Sequence, residues 1–259
     1  MPISRKAHLL QLLLAALILG GWEAGVRAGV LDDFFFPPPS DIAVQIGEWA
    51  VTADFYHQIA ITLLEAMLSF LSGTLTGVAI GLWLGLSPLA SAVLDPFLKV
   101  LNSIPKVILA PIFMLWFGLG IFSKVMLGLT LVFFVAFFNT YQGILEVNPV
   151  VLANARLLGA SRLSLLRHVY LPSASTWILS SLRVSIGFAM VGAVVGEYLG
   201  SAAGVGHMIA AAQGVFDATG VFAGITVLSI FVLLVDAVVS RVERRLLVWR
   251  PARSGDQNG

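Results

Sequence analysis

The sequence predicts an all-α membrane protein with six transmembrane helices, and three observations carry that expectation. Hydrophobic residues make up 58% of the 259-residue chain and charged residues 11%, against about a quarter charged in an average soluble domain. Mean hydropathy is +0.95, so the polar side chains are too few to coat a water-soluble globule. Asp, Glu, Lys and Arg are absent from Ala66 to Leu94, from Val125 to Leu145 and from Ala218 to Val235, runs close to or beyond the roughly 20 residues that cross a bilayer as a helix. The Lys and Arg residues, finally, fall on one side of the membrane only if the number of spans is even.

The segments about 8–30, 56–86, 92–118, 122–142, 173–200 and 220–247 qualify as spans. Arg5-Lys6 followed by the apolar run Leu9 to Trp22 has the opening of a secretory signal. No small-x-small cleavage site follows it and further apolar segments do, so it reads as a retained first span. Arg5 and Lys6 precede span one, Arg156, Arg162 and Arg167 lie between spans four and five, and Arg241, Arg244, Arg245, Arg250 and Arg253 end or follow span six. The other side holds chiefly Arg27 and Lys124, which places both termini and the 143–172 loop in the cytoplasm of a bacterial inner membrane protein. Glu23 and Arg27 stand four apart in the favourable order and are expected to pair near the outer end of span one.

Between spans one and two, Phe34-Phe35-Phe36-Pro37-Pro38-Pro39-Ser40-Asp41 is a proline-stiffened external segment, and Ser40 or Asp41 is expected to cap a short helix running through Glu48. That helix either lies on the membrane surface or simply fills the loop. The tail from Pro251 to Gly259 is expected to be disordered.

Gly73, Gly77, Gly81 and Gly85 recur every four residues in span two, and Gly192, Gly196, Gly200 and Gly204 do so at span five. Small-residue stripes let helix backbones approach closely in lipid, so tight packing is their first reading. Span three is interrupted by Asn102-Ser103-Ile104-Pro105-Lys106 and by Pro111. Each proline removes a backbone donor and clashes with the preceding turn, which predicts a kink or break. Broken helices in transporters often mark solute pathways, so Asn102, Ser103, Pro105 and Pro111 are candidate pathway residues; the alternative is a span that simply starts later, near Lys106. Asp95-Pro96 reads as a helix start, with Asp95 able to meet Lys99 one turn on.

The cytoplasmic loop is the most informative stretch. Asn148 is an N-cap with Pro149 at the first helical position, Gly159 supplies a left-handed stop, and Ser161 caps a second short helix toward Leu171 before Pro172 opens the next span. Leu152, Leu157 and Leu158 give this helix–glycine–helix unit an apolar face that suits a hydrophobic cleft of a partner protein.

The loop reads Ala153-Asn154-Ala155, three residues, Gly159, nine residues, Val169, one residue, Leu171-Pro172. This resembles the E-A-A-x3-G-x9-I-x-L-P pattern of ABC importer permeases, with spacing kept and with Ala153, Asn154 and Val169 as departures. Loss of the glutamate removes a capping or charge contact to the partner. The resemblance covers nearly the whole chain. It narrows to the nitrate, sulfonate and taurine branch through Asp95-Pro96, Ile104-Pro105, Leu115-Trp116-Phe117-Gly118-Leu119-Gly120, Ala155-Arg156-Leu157-Leu158-Gly159-Ala160-Ser161, Leu182-Arg183, Gly196-Glu197, Gly204-Val205-Gly206 and Glu243-Arg244-Arg245.

What the resemblance implies is a type I importer permease. Residues 1–55 would form an N-terminal helix and external segment, and 56–250 a five-helix core with its coupling loop. Two cytosolic ATPase subunits, which hold the ATP and Mg, would grip the helix at residues 149–158. A second permease subunit, in a homodimer, would complete the pathway, and an external binding protein would deliver a sulfonate, taurine, nitrate or bicarbonate-like anion.

The residues agree with a division of labour. No Gly-x4-Gly-Lys-Ser/Thr occurs, and His8, His57, His168 and His207 form no metal-ligand spacing. Serine nucleophile elbows and paired catalytic carboxylates are absent as well, which argues against an enzyme. Arg183 and Asp236 fall at similar depth in spans five and six and are expected to pair. Glu197 either lines or gates the route or caps a loop beside Gly204-Val205-Gly206. The competing readings are an ATP-independent secondary transporter or channel, which would carry a conspicuous intramembrane charge for ion coupling, and a purely structural membrane scaffold.

Overall fold

The computed structural model describes residues 3–246, which fold as helices joined by short loops. The elements are α1 (Ile3–Arg27), α2 (Pro39–Ala50), α3 (Ala53–Leu86), α4 (Pro88–Ser103), a 3-10 turn (Lys106–Leu109) leading into α5 (Ala110–Phe117), α6 (Ile121–Leu145), α7 (Pro149–Leu157), α8 (Arg162–Leu165), a π turn (Leu166–Tyr170), α9 (Leu171–Leu199), α10 (Val205–Gly214) and α11 (Ala218–Leu246). Among the described residues, five helices are long and apolar enough to cross a bilayer, and α4 with the Lys106–Phe117 segment makes a sixth if that bent pair is one span. The tail 251–259, like Arg250 and Arg253, lies outside the described residues.

Glycine spacing builds the centre. An added Cβ at Gly73 would stand 2.7 Å from Val132 Cβ, at Gly77 2.8 Å from Ala136 Cβ, at Gly81 2.8 Å from Thr140 Cβ and at Gly85 2.7 Å from Ile144 Cβ. Each step of four on α3 meets a step of four on α6, so the two helices run parallel in fixed register at a separation only glycine permits. On α9 the order reverses. Gly192 lies against Gly128, Gly196 against Lys124 and Gly200 against Leu119, so α9 runs antiparallel to α6. Ala66, Val132, Ala189, Met190 and Ala193 fill the space among the three helices. Lipid tails are as apolar as these side chains, so close van der Waals contact rather than water exclusion holds the trio together.

The outer elements pack on this core unequally. Leu9 to Leu19 of α1 are exposed, and α1 is tied down near its end, where Trp22 meets Phe222 and where Arg27, paired within the helix with Glu23 at 2.9 Å, also reaches Asp41 of α2 at 3.6 Å. The expected cap of α2 is replaced. Pro39 takes the first helical position, no side chain of its own turn caps it, and Glu23 of α1 accepts from the Ser40 amide at 3.1 Å and the Ser40 hydroxyl at 2.9 Å. Ile46 and Trp49 of α2 then pack beside Phe55, Val205 and Val227, so α2 rests on protein.

Two proline expectations change. Pro96 sits inside α4, which starts at Pro88 after Ser87, so Asp95-Pro96 is not a helix start. Pro172 stands in the first turn of α9, the position expected of it, but no break precedes it, because Arg162–Leu199 runs on as one crossing helix. The π turn explains it. Leu171 donates back to Leu166, one residue further than in an α-helix, and the widened turn accommodates a proline that has no N–H to give.

Candidate functional site

The loop between α6 and α9 folds as its residues dictate. Asn148 Oδ1 accepts the Val150 amide at 2.8 Å, Pro149 starts α7, Gly159 adopts φ +81°, and the Ser161 hydroxyl accepts the Ser164 amide at 3.2 Å. The left-handed glycine lets the Ala160 amide reach the Ala155 carbonyl at 3.0 Å and turns the chain back. Leu165, buried against the bundle, roots the unit. Leu157 and Leu158 are 85% and 88% exposed. Ala153, Asn154, Arg156, Gly159 and Ser161 are also exposed, Leu152, Ala155 and Ala160 are half-buried, and Leu171 and Pro172 lie at the foot of α9. A cavity of about 810 Å³ separates this knuckle from the end of α3 and is lined by Leu86, Pro88, Arg156, Arg162, Leu163 and Tyr170. Two leucines bared on a rigid turn beside such a cleft form a surface shaped for another protein's groove.

The break predicted in span three lies at Ile104-Pro105, where α4 and the following segment are bent by 86°. Asn102, Ser103, Pro105 and Pro111 are exposed there, and no residue of α4 is buried. The bend turns a polar strip of α4 toward α6, with Asp95 and Lys99 paired at 2.6 Å and a cavity of about 450 Å³ between the two helices.

Glu197 is placed elsewhere. It is fully buried, accepting from the Thr62 hydroxyl at 2.7 Å and the Gly206 amide at 2.8 Å. Gln58 Oε1 takes the Gly204 amide at 2.6 Å and Thr62 takes the Val205 amide at 2.9 Å. The opening turn of α10, which begins after a glycine and has no cap of its own, is thus satisfied by side chains of α3 and α9. This geometry is that of the loop-capping carboxylate. Arg183 and Asp236 meet at 3.5 Å, each about half exposed.

Sequence reasoning missed the partners of Glu197. Gln58, Thr62, Glu65 and Ser69 share one face of α3, and all four are buried. A polar stripe at helical spacing within an apolar span was the available signal. Lys124 is the sharper correction. Counted from sequence as an external loop charge, it is 1% exposed, with its ammonium donating to the Leu119 carbonyl and its stem admitted by Gly196, where a Cβ would stand 2.7 Å from Lys124 Cγ. Arg27 is then left as the outer loop cation.

Residues 73–248 match the family described as binding-protein-dependent transport system inner membrane component. The SsuC permease protein of Bacillus subtilis (strain 168), assigned to aliphatic sulfonates transport, is 35% identical over 94% of this chain and 88% of its own length. The taurine transport system permease protein TauC of Escherichia coli (strain K12) is 31% identical over 96% and 92%. The formylaminopyrimidine transport permease protein ThiX of Halalkalibacterium halodurans is 32% identical over 88% and 91%. Among solved structures, an inward-facing MetNI methionine ABC transporter superposes with a TM-score of 0.64 at 18% identity, covering 73% of this chain and 94% of that one, a likeness of fold.

Proposed function

The chain belongs to the family of binding-protein-dependent transport system inner membrane components, and we propose that it is the subunit of an ATP-driven importer that forms the translocation pathway for a small anion, a sulfonate, taurine, nitrate or bicarbonate. Sulfonates and taurine are the cargo named for two of its relatives. ATP and Mg belong to two cytosolic ATPase subunits, a second copy of the chain completes the pathway, and an external binding protein delivers the solute. In this reading both termini and the α7 knuckle face the cytoplasm, an orientation that the placing of Lys and Arg along the sequence supports.

The observation that carries this reading is the bared Leu157-Leu158 pair on the Gly159 turn. Closure of the ATPases on ATP would move α7, and α7 is continuous through a single short turn with the crossing helix Arg162–Leu199. The glycine-packed trio of α3, α6 and α9 would then rock as a unit and expose the pathway to one side at a time. The bent α4–α5 segment, with Asn102, Ser103, Pro105 and Pro111 exposed, supplies its wall. Affinity purification of the tagged chain from its native membrane tests the assignment. Stoichiometric recovery of an ATPase is expected, and solute flux through liposomes holding the purified chain alone would overturn it.

A further inference from the structure

We propose that Lys106 is the residue that selects a negatively charged solute, an assignment that rests on the permease reading above and names the group of the pathway wall that contacts the cargo. Apart from Arg162 and Arg167, which stand at the loop end of the Arg162–Leu199 helix, four cations lie within the crossing segments between Leu31 and Val238, and three of these four are occupied. Lys99 is paired with Asp95 at 2.6 Å and Arg183 with Asp236 at 3.5 Å, while Lys124 is sealed in the core. Of these four, Lys106 alone is both reachable and without a carboxylate among the described residues; Arg156, Arg162 and Arg167 are exposed and unpaired there as well, but they belong to the loop between α6 and α9 and not to the bent segment.

Its ammonium is held in place. Nζ donates to Asn102 O at 2.5 Å and to Asn102 Oδ1 at 2.7 Å, and it lies 4.7 Å from the centroid of the Phe134 ring. An ammonium has three donors, so one remains free, and the ring face supports the charge without neutralising it. Phe134 is near the middle of α6, which runs from Ile121 to Leu145, so the charge stands at about mid-span. Ile104, Val107 and Ile108 around it are exposed and apolar. A lysine turned to lipid at the centre of a span is costly and is ordinarily found facing the bundle interior or a water-filled cavity. The 86° bend that brings it there therefore makes sense where its open side meets water and solute rather than lipid. A separate cavity lined by Asp95, Lys99, Asn139 and Gln142 lies between α4 and α6, the helices that also carry Asn102 and Phe134. A fixed, unpaired cation with a spare donor at mid-depth favours an anion over a neutral solute of the same size.

The test uses the whole complex, with its ATPase and binding protein, in proteoliposomes, and radiolabelled ethanesulfonate and nitrate as probes. Lys106→Gln is expected to lower ATP-driven anion uptake at least tenfold while ATPase recovery with the complex stays at wild-type level. Lys106→Arg is expected to retain most of the uptake, and Asn102→Asp, which sets a carboxylate beside the ammonium, to fall as far as Lys106→Gln. Uptake by Lys106→Gln within twofold of wild type would overturn the assignment. So would an Arg variant as inactive as the Gln variant, loss of the ATPase from the Gln complex, or a wild type that drives only uncharged solutes. A wild type with no ATPase and no ATP-driven uptake would instead overturn the permease reading beneath it.

Discussion

The Thr62 hydroxyl donates to the Glu197 carboxylate at 2.7 Å, tying α3 to α9 inside the membrane while the same Thr62 oxygen receives the Val205 amide at 2.9 Å. Thr62→Val removes both bonds at once and leaves a buried carboxylate and a buried amide short of partners, a loss of about 2–4 kcal/mol. The expected result is a clear drop in the melting midpoint of the detergent-solubilised complex, with Thr62→Ser close to wild type. Equal midpoints for Val and wild type would show that the network contributes nothing.

Helix spacing gives a second prediction. A Cβ at Gly77 would stand 2.7 Å from the Phe133 carbonyl oxygen, whereas at Gly187 it would meet nothing within 4 Å. Gly77→Ala is expected to separate α3 from α6 and cost about 1–3 kcal/mol. Gly187→Ala should leave yield and monodispersity unchanged. Size-exclusion profiles of the two variants decide it.

Gly159 has φ +81° and open space around its Cα, so any cost of substitution there is backbone strain and not collision. Gly159→Val should uncouple ATP hydrolysis from uptake or release the ATPase, since a branched side chain resists the left-handed region by about 1–2 kcal/mol. Gly159→Asn, which visits that region readily, should retain most coupling. Hydrolysis and uptake measured on the same vesicles read both.

Arg183 and Asp236 meet at 3.5 Å with each side chain about half exposed, a geometry worth about 1 kcal/mol or less. Arg183→Gln and Asp236→Asn should each lower the complex's melting midpoint slightly, and the exchanged pair Arg183→Asp with Asp236→Arg should recover it. Additive losses in the exchange would mean the two do not interact.

Much of this architecture is legible in the chain, because in lipid a few local signals decide the outcome. The uncharged runs, the α3 glycine stripe and the Ile104-Pro105 break each have one physical consequence, and the structure shows it, whereas Gly204, last of the second stripe, leaves α9 and adopts φ +106° at the start of α10. Asn148, Pro149, Gly159 and Ser161 act within a turn of themselves, and caps of that kind need no tertiary information. What escaped depends on neighbours far along the chain. Glu23 caps α2 from another helix, Lys124 is buried because Gly196 makes room for it, and Glu197 is satisfied by α3. Pro172 continues a helix only because the turn before it widens to a π turn.

The chain has no cysteine, so Leu158→Cys puts a single thiol on the bared tip of the knuckle. A membrane-impermeant maleimide is expected to label it in inverted vesicles and not in right-side-out ones, and an added ATPase complex should shield it. Labelling from the outside, or a thiol that stays equally reactive with the ATPase bound, would contradict a cytoplasmic knuckle that receives force from a partner.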